Sequence, residues 1–309
     1  MAKMLGSNRA TSGVVPVAVL VAVTAVWGST FFLIKGLLQE ISALDFLSVR
    51  FLIAALVVGV LMFPRLRRAN KRTWRNGIIL GILYGSAQIF QTVGLKTTHA
   101  SVSGFITGMY VVLTPVALLL LFRERISRKV WFAVAIAGIG VAVLSLHGFA
   151  VGRGELITFT GSVLYAVHIV FLGRWAKQDD PFTLGLIQII GIAVFCTVCA
   201  LPTGIRLPTT VGSWAALIYM AFVAGVAALI AQTWAQARMS APSAAIVMTM
   251  EPVFASLFAV VFGGEVVTLR LLLGGGMILT AMFTTELEFN SEVSATMPPR
   301  SLNRDSKVS

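Results

Sequence analysis

The chain has 309 residues, of which 57% are hydrophobic and 12% charged, and its mean hydropathy is +0.91. A soluble globular domain carries about 25% charged residues, so this composition excludes an ordinary soluble domain and makes the lipid bilayer the expected solvent. The net charge of +12 would suit nucleic acid, but the basic residues fall in short loops between apolar runs, which excludes that partner.

In hydrocarbon every backbone polar group must be bonded inside the chain, so spans are helices or a closed barrel. Apolar runs of about 20 residues suit helices, whereas barrel strands are about 10 residues long. The runs predict ten spans, at 15–35, 44–63, 75–95, 101–121, 130–147, 155–175, 183–201, 213–235, 242–262 and 268–286. Residues 1–14 read as a polar cytoplasmic tail, and 288–309, which lacks apolar periodicity, as a disordered one.

Lys3 and Arg9 precede span one like the basic start of a signal peptide, but the apolar run continues through Trp27 to Leu33 and predicts an uncleaved helix. Polar groups at bilayer depth are costly unless they face protein or water, so they are the functional candidates. Span one supplies Trp27, Ser29 and Thr30. Arg50, near the outer end of span two, either snorkels to the interface, the favoured reading, or attracts an anionic substrate. The basic loop 64–74 fixes orientation or meets anionic lipid. Span three places Tyr84, Gln88 and Gln91 on one helical face, and span four does the same with Ser103, Thr107, Tyr110 and Thr114.

Gly138, Gly140 and Gly274 to Gly276 fall in the last spans of each half, where small residues let helices approach closely. A glycine-rich turn at 147–154 joins the halves. Span six carries Tyr165 and His168, and span eight Gln232 and Gln236. Cys196 and Cys199, one turn apart, read as packing residues. Span nine carries Met248 and then Glu251, an acid well inside an apolar run, followed by Pro252. Three roles compete for Glu251: proton carrier, partner for a cationic substrate group, or structural acceptor. His168 is the other titratable candidate. Any single hydroxyl or amide here can instead serve as glue between helices.

The chain is also written twice. Gln91-Thr92 recurs as Gln232-Thr233, Glu124 as Glu265 and Ser127 as Thr268, each pair 141 residues apart. Earlier in the chain Trp27 aligns with Tyr165 and Arg50 with Gln188 at a step of 138. Five spans per copy is an odd number, so the second copy enters the bilayer from the opposite side. The expected fold is therefore an all-α membrane protein, with ten transmembrane helices as two inverted five-helix repeats over 15–148 and 153–287. Inverted repeats build many secondary transporters, with a site at the repeat interface. With the N-terminus inside, 18 of the 24 Lys and Arg residues lie on the cytoplasmic side, which puts both termini there.

Several of these stretches resemble a known family. Trp27-Gly-Ser-Thr-Phe-Phe-Leu-Ile-Lys35, Ala43 to Arg50, Asp180-Pro181-Phe182, and Ala241 to Pro252 followed by Gly264-Glu265 are similar to the EamA branch of the drug/metabolite transporter superfamily, over about 15–286. The resemblance implies alternating access from a central cavity and efflux of small metabolites, such as amino acids or toxic compounds.

The expected substrate cavity takes Trp27, Thr30, Tyr84, Gln88, Gln91, Thr107, Tyr110, Tyr165, His168, Gln232, Met248 and Glu251, with Glu251 and His168 as candidates for proton coupling. Its aromatic and amide content favours zwitterionic or neutral substrates over phosphorylated ones. No Walker motif points to ATP, and neither H-E-x-x-H nor Gly-x-Ser-x-Gly points to an intramembrane enzyme. The expectation is a metabolite exporter of the inner membrane, without cofactor or metal, as a monomer or weak homodimer. An uptake permease or exchanger of the same fold is the alternative.

Overall fold

The computed structural model describes residues 7–123, 127–147, 150–176, 178–236 and 247–296. In the first copy these form α1 (Ser7–Leu37), α2 (Ala43–Leu61), the short α3 (Phe63–Arg67), α4 (Lys71–Leu95), α5 (Ala100–Gly108), α6 (Tyr110–Phe122) and α7 (Arg128–Ser145). The second copy has α8 (Arg153–Trp175), α9 (Pro181–Ala200), α10 (Val211–Ala221), a π-helical stretch Phe222–Ala227, α11 (Ala228–Gln236), α12 (Met250–Val261) and α13 (Leu269–Thr296). A two-residue antiparallel pairing, Leu146 with Val151 and His147 with Ala150, sits in the turn between the copies.

Among the described residues, seven helical spans are long and apolar enough to cross a bilayer: Val15–Leu37, Ala43–Leu61, Lys71–Leu95, Ala100–Phe122, Arg153–Trp175, Pro181–Thr203 and Val211–Gln232. Met250–Val261 and Leu269–Thr284 are shorter apolar helices. The predicted start of span nine at 242 lies outside the described residues. Large apolar side chains such as Leu56, Val60, Leu120, Phe132, Val198 and Leu272 are exposed, as expected where lipid tails replace water.

Helix extends into both segments read as tails. α1 is helical from Ser7, and α13 is helical through Thr296.

Equivalent positions of the two copies do equivalent local work. Ser42 caps α2 through the Asp45 N–H, and Asp180 caps α9 through the Thr183 N–H. Ser127 accepts from the Val130 N–H, and Thr268 accepts from the Leu271 N–H. Side-chain acceptors here satisfy N–H groups that the first turn of a helix leaves without partners.

The copies also tie to each other at both ends of the bundle. At one end Glu40, after α1, accepts from the backbone N–H groups of Thr209 and Thr210 and from the hydroxyls of Thr209 and Ser213, at the start of α10. At the other end Asp179, before α9, accepts from Thr73, Asn76 and Arg72 at the start of α4. Arg65 pairs with Asp180 at 2.8 Å. The basic loop 64–74 thus meets acids of the second copy.

Glycine seams bring helices into backbone contact. A Cβ at Gly81 would meet Gly191 Cα at 2.7 Å, and one at Gly94 would meet the Gly154 carbonyl at 2.5 Å, fastening α4 to α9 and α8. In the last spans, Gly140 and Gly274 face each other across α7 and α13, and Gly275 takes the Phe105 ring. Gly138 and Gly276 have nothing within 4 Å of a built Cβ, which corrects the reading of all five as contact residues.

Candidate functional site

A cavity of about 390 Å³ lies between the copies. It reaches from Ile34, near the end of α1, to Ala176 and Pro181 beside the α8–α9 turn. All twelve residues expected from the sequence to line a cavity lie around this one: Trp27, Thr30, Tyr84, Gln88, Gln91, Thr107, Tyr110, Tyr165, His168, Gln232, Met248 and Glu251.

Their hydrogen bonds include one linked wall and three separate pairs. Gln88 Nε2 donates to the Tyr165 hydroxyl at 2.6 Å and more weakly to the Tyr84 hydroxyl at 3.4 Å. Tyr165 donates to Gln91 Oε1 at 2.8 Å, and Gln91 Nε2 donates to Thr107 Oγ1 at 3.3 Å. The Tyr84 ring meets Tyr165 and His168 edge-on, with centroids 5.3 and 5.2 Å away, a favourable aromatic arrangement. Gln88 Oε1 is buried without a protein partner, an acceptor left over in this wall. His168 Nε2 lies 3.2 Å from Gln188 Oε1, and Tyr110 donates to Glu251 Oε2 at 3.1 Å.

The repeat step reappears in these contacts. Gln91 reaches Thr107, and its counterpart Gln232 reaches Met248 Sδ at 3.9 Å; both partners also stand 141 apart. The helices carrying the pair Tyr110 and Glu251 are interrupted close by, with a turn at Met109 between α5 and α6 and another at Thr249 before α12. Pro252 packs on Gly108 there, its ring 3.3 Å from where a Cβ would stand.

Arg50 departs from its favoured reading. It does not snorkel: it is 4% exposed and lines the cavity. Its Nε–H donates to the Met220 carbonyl at 3.1 Å, and its guanidinium lies 4.8 Å from the Phe51 ring centroid and 5.8 Å from that of Phe46. The aromatic rings of its own helix and a carbonyl one residue short of α10's end hold it inward. Trp27 is fixed in the same way by the π-helical stretch, its indole N–H donating to the Ala224 carbonyl at 3.0 Å. Single π turns interrupt regular helical bonding and recur at functional sites.

Some polar candidates point elsewhere. Ser29 bonds Tyr219 and the Val26 carbonyl, and Thr114 bonds the Tyr110 carbonyl. Ser103 is buried without a partner and is not a lining residue. Cys196 and Cys199 are free thiols. The side chain of Gln236, and Glu124 as a whole, lie outside the described residues. Sequence reasoning did not assign Gln188 or Gly185 to the cavity, although Gln188 was marked as the counterpart of Arg50 and that pairing was the available signal.

Beyond Ile34, charged contacts close the end of the bundle. Glu265 accepts from the N–H groups of Ala100 and Ser101 and from the Ser101 hydroxyl, with His99 Nδ1 at 3.6 Å. Lys35 donates to the Thr98 carbonyl. Among the described residues, no cluster of three metal-ligating side chains occurs.

Residues 15–146 and 152–286 each match the EamA-like transporter family. The chain is 29% identical over 269 residues to an uncharacterized transporter of Archaeoglobus fulgidus, covering 87% of this chain and 84% of that one. It is 25% identical to the uncharacterized transporter YyaM of Bacillus subtilis, covering 84% and 93%. It is 24% identical to the uncharacterized inner membrane transporter YedA of Escherichia coli strain K12, covering 87% and 89%. A crystal structure with 18% identity shares the fold at a TM-score of 0.61, over 88% of this chain and 98% of that one.

Proposed function

The chain belongs to the EamA-like transporter family, a multi-pass membrane protein, and from that premise we propose that it exports small organic metabolites, amino acids or related compounds and drugs, by alternating access through the central cavity. The observation that carries the reading is the linked polar wall of Gln88, Tyr165, Gln91 and Thr107 along the cavity between the copies. Helix glue needs one bond across one contact; this wall joins three helices and faces a cavity large enough for a metabolite.

The two copies, 15–148 and 153–287, supply the two sides of the movement. Charge placement supports a topology with both termini in the cytoplasm of the inner membrane. In that orientation the cavity reaches toward the cytoplasm at Ala176 and Pro181, and the contacts of Glu40 and Glu265 close the outer end. Rocking of one copy against the other exposes the cavity outward.

Glu251 and His168 are the groups that would carry a proton for coupling. The cargo is a small molecule and the working unit a monomer or weak homodimer. Nothing in this cycle calls for a cofactor or a chemical step, so the reading is a carrier and not an enzyme. Uptake uses the same cavity in the opposite direction and is the second reading. A growth screen comparing expressing with non-expressing cells under toxic amino acids, their analogues and drugs separates them. Export predicts resistance, uptake predicts sensitisation, and identical growth across the panel would count against both.

A further inference from the structure

We propose that Arg50 is an anion subsite that receives a carboxylate of the transported molecule. The inference rests on the reading of the cavity as the transport site and names the chemistry it selects. Arg50 is 96% removed from solvent within the bundle yet lines the cavity. Among the described residues no carboxylate lies within ion-pair reach of it, since the ion pairs there are Arg65 with Asp180, Arg72 with Asp179, and His99 with Glu265. Glu251, the acid of the same cavity, bonds Tyr110 instead.

A guanidinium at bilayer depth without a counter-charge is costly. It is retained where an anion comes to it. The geometry prepares it for one. The Nε–H is committed to the Met220 carbonyl, and the rings of Phe51 and Phe46 flank the guanidinium. That leaves the two terminal amino groups, the edge of the guanidinium that matches a carboxylate in a two-bond contact. Because the fork is already held, little side-chain entropy is lost on binding. The equivalent position in the second copy is Gln188, whose Oε1 faces His168, so the anion site is one-sided and fixes which end of an asymmetric substrate enters which half.

The test uses the purified full chain and three matched probe pairs: phenylalanine and its amide, leucine and its amide, and 3-phenylpropanoate and its amide. Affinity is read from thermal shift and tryptophan fluorescence. At least one carboxylate should bind about tenfold or more tightly than its amide, the size of one charge-assisted bond. R50Q should erase that preference, and R50K should keep only part of it. If R50Q does not fold, the preference in the unmodified chain and its reduction in R50K decide the matter.

The proposal is overturned if no carboxylate outranks its amide, if the preference survives R50Q, or if chloride or sulfate displaces the carboxylates at equal concentration. Preference for 3-phenylpropanoate without preference for the amino acids would identify an organic acid as cargo, and preference for the amino acids a zwitterion; either supports the subsite. Binding with no flux in proteoliposomes would remove the carrier reading and leave the subsite. Flux with no carboxylate preference would do the reverse.

Discussion

The Tyr110 hydroxyl donates to Oε2 of Glu251 at 3.1 Å, joining two side chains that hold the same position in the two copies, 141 residues apart. The interface between the copies thus passes through a contact whose two sides are chemically different. If Glu251 carries a proton, its protonation alters this bond during the cycle. Glu251→Gln keeps the shape and removes the titration. Flux in proteoliposomes under an imposed pH gradient should then become independent of the gradient. An unaltered pH profile with normal flux would make Glu251 a structural acceptor.

Gln88 bridges Tyr84 and Tyr165 and lines the cavity. Gln88→Ala and Tyr84→Ala should each lower transport about tenfold, the effect of losing a bond in a polar site, at unchanged abundance in isolated membranes. Unchanged transport would take both residues out of the site.

The α4 seam makes a separate claim about stability. Gly94→Ala inserts a methyl against the Gly154 carbonyl, and overpacking of this kind costs about 1–3 kcal/mol. Gly36 has nothing within 4 Å of a built Cβ, so Gly36→Ala is the control. The melting temperature in detergent should fall for the first variant and stay near the parent for the second. Equal melting temperatures for Gly94→Ala and the parent would show that the seam can open without cost.

Glu40 lies outside the spans, and its hydrogen bonds from Ser213 and Thr209 hold its carboxyl down to about 2. A depressed carboxyl contributes its stabilisation above the ordinary carboxylate range and loses it as pH falls through the depressed value. Protection of the amides of Thr209 and Thr210 from hydrogen exchange should therefore persist at pH 5 and decline between about 4.5 and about 2. Glu40→Ala should show the unprotected rate already at neutral pH. Slow exchange in that variant would mean that Glu40 does not hold the outer end.

The helices and the repeat were legible because the bilayer enforces long apolar runs and because Gln91, Ser127 and their partners recur at one step. Helical spacing sorts polar groups onto faces and marked Tyr84, Gln88, Gln91, Thr107 and Tyr110, but it marked Ser103 and Thr114 equally, and these do not line the cavity. Facing is harder to read where a residue's direction depends on a distant element. Arg50 turns inward between Phe46 and Phe51 of its own helix and toward the Met220 carbonyl of α10, and that distant acceptor is not announced within α2. The π-helical stretch Phe222–Ala227 and the turn at Met109 have no local signature in residue type. Gly138 and Gly276 share the composition of Gly140 and Gly274 but not their facing, which is fixed only once α7 and α13 dock.

The central claim is that one cavity, alternately exposed, carries the substrate, and counterflow in proteoliposomes tests it most directly. A labelled amino acid outside should enter several-fold faster when the same unlabelled compound is trapped inside, and Gln88→Ala should abolish that acceleration. Entry that does not saturate and ignores the trapped compound, or no entry above protein-free vesicles for any compound in an amino acid and drug panel, would contradict it.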